Sequence, residues 1–147
     1  MTHTTQMAAA RQGILTPQMQ QVLSDERISE TDLLERVADG RIAIPANRNH
    51  TSLRARGVGA GLTTKINVNL GVSEDCCNVE KELDKVRRAI DLKADAIMDL
   101  STFGDTRAFR RRAVAISPVM LGTVPVYDAV ARYGKDVGAI SVDDFFQ

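Results

Sequence analysis

Thr64-Lys65-Ile66-Asn67-Val68-Asn69-Leu70, Ala96-Ile97-Met98-Asp99-Leu100 and Val119-Met120-Leu121-Gly122-Thr123-Val124 are three short apolar segments that end in polar or glycine-bearing residues. Between them the period changes from two to about 3.6, with Val79, Leu83, Val86 and Ile90 in the first interval and Phe109, Ala113 and Ile116 in the second. The order is β-α-β-α-β, which predicts parallel strands joined by helical crossovers. A doubly wound sheet and a (β/α)₈ barrel both fit, and in both the chemistry sits just past the carboxyl ends of the strands.

The residues before Leu62 have a different character. Thr16-Pro17 has the form of an N-cap followed by proline at the first helical position, with Met19, Val22 and Leu23 on one face. Ser29 and Asp32 resemble a capping box opening a helix with Leu33, Leu34 and Val37 on its face, and Gly40 is placed to end it. A short apolar run, Ile42-Ala43-Ile44, then leads into the polar loop Pro45-Ala46-Asn47-Arg48-Asn49-His50 and glycines 57, 59 and 61. The expected organisation is a helical and loop segment over 1–61 and the first three β-α units over 62–147. At the other end, Ser141-Val142-Asp143-Asp144 has the form of a helix start, with Phe145 and Phe146 beginning an apolar face. A barrel takes about 250 residues, so the expectation is the N-terminal part of a longer protein.

Composition narrows the function classes. The 147 residues are 44% hydrophobic and 26% charged, with 19 basic and 19 acidic side chains. This neutral balance provides no domain-wide field for a nucleic acid or an anionic membrane, so neither is an expected partner. No apolar run reaches the roughly 18 residues of a membrane span, and the first residues lack a signal-peptide layout, which points to the cytoplasm. Adjacent Cys76 and Cys77 lack both disulfide geometry and C-x-x-C spacing, and read as reduced thiols. With only His3 and His50 available, no metal site is expected within this chain.

The strand ends carry the candidate site. The same interval, 29 residues, separates Asn69 from Met98 and Met98 from Tyr127, as if each held the corresponding place in one β-α unit on a common rim. The plainer alternative is that Asn69 and Asp99 satisfy loop backbone groups and cap helices, Met98 fills core and Tyr127 begins a helix. Arg48 could hold an anion, although a solvated turn explains its loop as well. Glycines 57, 59 and 61 precede a strand and lack dinucleotide-fingerprint spacing. Arg107, Arg110, Arg111 and Arg112 read as a solvated helix face.

Five ordered blocks resemble the phosphomethylpyrimidine synthase (ThiC) family: Ala10-Arg11-Gln12-Gly13-Ile14-Leu15-Thr16-Pro17, Ile44-Pro45-Ala46-Asn47-Arg48-Asn49-His50, Lys65-Ile66-Asn67-Val68-Asn69-Leu70-Gly71, Met98-Asp99-Leu100-Ser101-Thr102 and Gly122-Thr123-Val124-Pro125-Val126-Tyr127. The resemblance implies a (β/α)₈ barrel and a radical S-adenosylmethionine enzyme of the carbon–carbon lyase type. Its reaction would rearrange aminoimidazole ribotide into the hydroxymethylpyrimidine phosphate of thiamin. It also implies ribotide contacts at Asn69, Met98 and Tyr127, and a homodimer at full length. The 4Fe-4S cluster cysteines and the two histidines for a divalent metal, zinc, are expected beyond Gln147, so Cys76 and Cys77 are not cluster ligands. The fragment alone is expected to be inactive.

Val68, Leu70, Val72, Glu74-Asp75-Cys76-Cys77-Asn78 and Phe103-Gly104-Asp105 depart from the usual thiamin pattern. They look more like a sister branch that converts the same ribotide to 5-hydroxybenzimidazole, the lower-ligand base of cobamides (vitamin B12). A more remote alternative is a stand-alone α/β binding module.

Overall fold

Leu70, Ile97 and Leu121 lie on one side of a three-stranded parallel sheet, and the amphipathic helices between the strands pack onto that side. The computed structural model describes residues 5–133 and 137–145. The chain divides into two units, the first ending at Ile66 and the second opening at Asn67.

In the first unit, α1 (Gln6–Ala10), α2 (Pro17–Asp25) and α3 (Glu30–Ala38) precede a short antiparallel ladder of β1 (Ile42–Ala43) and β2 (Val58–Gly59). The helix starts follow the sequence signals. Thr16 Oγ1 accepts from the Met19 amide at 3.2 Å with Pro17 at the first position, and Ser29 Oγ accepts from the Asp32 amide at 3.1 Å. Each cap satisfies a helix N–H that has no partner within its helix. Ala9, Met19, Val22, Leu33, Val37 and Ile42 form the core. Glycine 59, one of the three read as lacking a dinucleotide spacing, pairs with Ile42 in the ladder.

The boundary falls at 66/67, whereas the sequence places it at 61/62. Glu26, at the end of α2, accounts for the difference. Its carboxylate accepts from the Thr63 amide and hydroxyl, each at 2.9 Å, and from Lys65 Nζ at 2.6 Å. These bonds tie residues 63–65 into the first unit, so the expected strand 64–70 begins only at Asn67.

In the second unit, β3 (Asn67–Leu70), β4 (Ala96–Asp99) and β5 (Met120–Thr123) pair in the order β3-β4-β5, all parallel. α4 (Val79–Asp91) and α5 (Thr106–Ile116) connect them, and α6 (Pro125–Tyr133) follows β5. Leu83, Val86 and Ala89 of α4 and Phe109 and Ala113 of α5 enclose Leu70 and Ile97 in one core. Side chains alternate across a strand, so Asn67, Asn69, Met98 and Gly122 occupy the opposite face. The mixed α/β class and the parallel strand order agree with the sequence expectation. Near the end, Ser141 opens a one-turn helix over Asp143–Phe145, and Asp144 accepts from both the amide and the hydroxyl of Ser141. Phe146 lies outside the described residues.

Candidate functional site

The carboxyl ends of β3, β4 and β5 bring two of the three predicted site residues together. Asn69 and Met98 are direct register partners on adjacent strands, on the face away from α4 and α5. Asn69 is exposed, and its amide oxygen accepts from Asn67 Nδ2 at 2.7 Å. Beyond Met98 the register partner on β5 is Gly122. A Cβ there would stand 2.8 Å from Met98 Cε and 2.9 Å from Sδ. The absence of a side chain at 122 leaves the thioether room to lie over the strand.

Tyr127 departs from the expected equivalence. It occupies the third position of α6, with its amide donating to Val124 O at 3.0 Å and its side chain exposed. It therefore follows the carboxyl end of β5 by one helical turn and holds no position in the ladder. The interval from Asn69 to Met98 reflects strand register, and the equal interval from Met98 to Tyr127 does not. Asn69 and Asp99 are not the helix caps either, since Asn78 caps α4 and Asp105 caps α5.

Beneath these strand ends lies a polar network. Asp99, fully buried, accepts at Oδ1 from the amide and hydroxyl of Ser101 and at Oδ2 from Arg110 Nε at 2.6 Å. The other guanidinium nitrogens of Arg110 donate to both oxygens of Asp128, which also accepts from Thr106 Oγ1 at 2.7 Å. Ser101 Oγ in turn accepts from the Val72 amide at 2.9 Å. Burial alone would lower the pKa of Arg110, but hydrogen bonds from it to Asp128 and Asp99 outweigh that effect and raise it.

Immediately after β3, Gly71 adopts φ 151° against the Leu100–Ser101 backbone, where a Cβ would stand 2.5 Å from the Ser101 nitrogen. Its amide donates to the fully buried Glu82 carboxylate at 3.0 Å. Among the described residues no buried side-chain nitrogen or oxygen lacks a hydrogen-bond partner.

Arg110 corrects the expectation of a solvated arginine face. Arg107 and Arg111 are exposed and Arg112 pairs with Glu80 at the surface, but the Arg110 side chain is only 19% exposed. Glu82, Arg110 and Asp128 were not legible as site-building residues, although a signal was present for two of them. Val79, Glu82, Leu83 and Val86 fall at i, i+3, i+4 and i+7, as do Thr106, Phe109, Arg110 and Ala113. A charged residue at a core-facing helical position is the signature of a buried network.

Other candidates resolve more simply. Asn47 Oδ1 accepts from the Asn49 amide at 2.9 Å and Asn47 O from the His50 amide at 3.0 Å, so the 47–50 loop is a turn that leaves Arg48 exposed. A cavity of about 510 Å³ lies between α5 and α6, and Asn69, Met98 and Tyr127 are not among its lining residues. Cys76 and Cys77 are exposed and free. Among the described residues no three His, Cys, Asp or Glu side chains converge to hold a metal ion. Nor is any helix there long and apolar enough to cross a membrane.

A family model described as "Radical SAM ThiC family" matches residues 5–147. The chain is also similar to three curated proteins named phosphomethylpyrimidine synthase. That of Clostridium tetani is 56% identical over 144 residues, covering 98% of this chain and 32% of the relative. The Pelotomaculum thermopropionicum protein is 57% identical over 145 residues, with coverage of 99% and 34%. The Fusobacterium nucleatum protein is 57% identical over 141 residues, with coverage of 96% and 33%. The chain therefore spans about a third of the length of the curated relatives it matches.

Proposed function

The chain belongs to the radical SAM ThiC family, and from that premise we propose that the full-length polypeptide carrying it rearranges aminoimidazole ribotide into hydroxymethylpyrimidine phosphate for thiamin biosynthesis. The observation that carries this reading is the family match over residues 5–147, together with relatives that share the phosphomethylpyrimidine synthase name. That shared name favours the thiamin product over hydroxybenzimidazole. The three β-α units are taken as the opening of a (β/α)₈ barrel, with the Asn69–Met98 face turned toward its interior and the full-length enzyme a homodimer.

In this reading the chain's own residues act by positioning. The Asn69 amide offers a donor and an acceptor to ribose or phosphate oxygens, the Tyr127 phenol offers a hydroxyl, and Met98 provides a polarizable wall for the flat imidazole. None of the three is suited to general acid–base work near neutral pH. S-adenosylmethionine and an iron–sulfur cluster come with the family, and zinc is the divalent metal the resemblance implies. The described residues do not fit the cluster or the zinc, because no ligand set converges among them and the two cysteines are adjacent and exposed. No step is assigned to either group through this chain.

The test is to incubate the anaerobically reconstituted full-length enzyme with ribotide and S-adenosylmethionine and to identify products by mass. Hydroxymethylpyrimidine phosphate is expected. Hydroxybenzimidazole, or unconsumed ribotide, would overturn the reading.

A further inference from the structure

We propose that Arg110 is a positioning residue for the ribotide site, acting through the residues that follow Met98 and Tyr127. This inference rests on the function proposed above. One guanidinium joins Asp99, next in sequence to Met98, with Asp128, next in sequence to Tyr127. It therefore sets the end of β4 and the first turn of α6 in one fixed relation. Through Asp99 and Ser101 the same network reaches the Val72 amide, three residues after Asn69. All three candidate ribotide contacts are thereby referred to a single side chain on α5, the helix that packs on the side of the sheet away from Asn69 and Met98.

The charge balance favours a geometric role over a stabilising one. Two carboxylates face one cation, with Asp99 fully buried and the Asp128 side chain 32% exposed. Buried ionic clusters of this kind are a poor source of net stability, because desolvation consumes most of the Coulombic gain. The guanidinium instead supplies a rigid planar fork that engages two carboxylates at defined angles, which a lysine cannot reproduce. The site needs that property if Met98 and Tyr127 are to contact one small ligand, since a misplacement of about 1 Å can cost as much as about a hundredfold in rate.

The experiment uses the full-length enzyme with Arg110→Lys and, as a second variant that leaves the Asp99 pair intact, Asp128→Asn. Steady-state constants for both substrates are measured beside the melting temperature, and Arg110→Lys is repeated in a Tyr127→Phe background. The expected result is a kcat/KM for ribotide lowered at least about tenfold, with the S-adenosylmethionine KM unchanged and a smaller Arg110→Lys effect when Tyr127 is already Phe. If Arg110→Lys fails to fold, Asp128→Asn must show the same ribotide-selective loss. Unchanged ribotide constants, or losses that track melting temperature and affect both substrates equally, would overturn the proposal. Failure of the wild-type enzyme to consume ribotide would instead overturn the function on which it rests.

Discussion

Asn69 is exposed on the sheet face that α4 and α5 leave uncovered, and its side chain bonds only a neighbouring asparagine among the contacts described. In the full-length enzyme, Asn69→Ala is expected to weaken ribotide binding by about 1–3 kcal/mol, the scale for leaving a polar partner unsatisfied. Calorimetric titration reads the affinity, and a melting curve should be almost unmoved. A fall in stability with intact affinity would make Asn69 a loop-structuring residue. Gly122 gives a complementary test. Gly122→Ala places a methyl where the Met98 thioether now lies, and the flexible methionine can move aside at small energetic cost. Ribotide affinity should therefore fall while the melting temperature changes little. Asn69 and Met98 were legible as a pair because their separation equals one β-α repeat. Tyr127 shares that interval by coincidence, since Gly122, only 24 residues after Met98, is the true register partner. Arg110 stayed hidden because three consecutive arginines mask the one that faces inward.

Among the elements, the helix starts were the most readable features, since a cap is a local bond between residues three apart: Thr16 to Met19 and Ser29 to Asp32. Strand limits depend on the partner. β3 is confined to Asn67–Leu70 because it pairs residue for residue with the four residues of β4, and because Lys65 is held by Glu26. That ion pair makes a pH prediction for the connection between α2 and residues 63–65. Burial would raise the Glu26 pKa, but bonds from Lys65 and Thr63 outweigh it and hold the carboxyl below its ordinary value. A carboxyl depressed in the folded state adds stability that is complete above its unfolded pKa and is lost as pH falls through the folded one. The protection factor of the Thr63 amide should therefore stay level from neutral pH down to the ordinary glutamate range and fall progressively from there as pH drops further. Lys65→Met should lower it already at neutral pH, by leaving a nearly buried carboxylate without its cation. Equal protection in wild type and variant would show that the pair contributes nothing.

For the whole molecule, the sequence pattern left two parallel architectures open. Both connecting helices share one face of a sheet whose strands follow in chain order, which suits the start of a barrel. Among the described residues, β3 and β5 each pair with β4 alone, so each has a free edge. Residues 1–147 expressed by themselves are accordingly expected to aggregate and to yield no deoxyadenosine after reconstitution. Turnover by this piece alone would contradict that expectation. The central claim is that the strand-end face of this chain receives the ribotide, and Met98 reports on it directly. With methyl-¹³C methionine in the full-length enzyme, adding ribotide should shift one resonance, which Met98→Leu removes. A saturating ribotide complex that leaves the Met98 resonance in place would contradict the account.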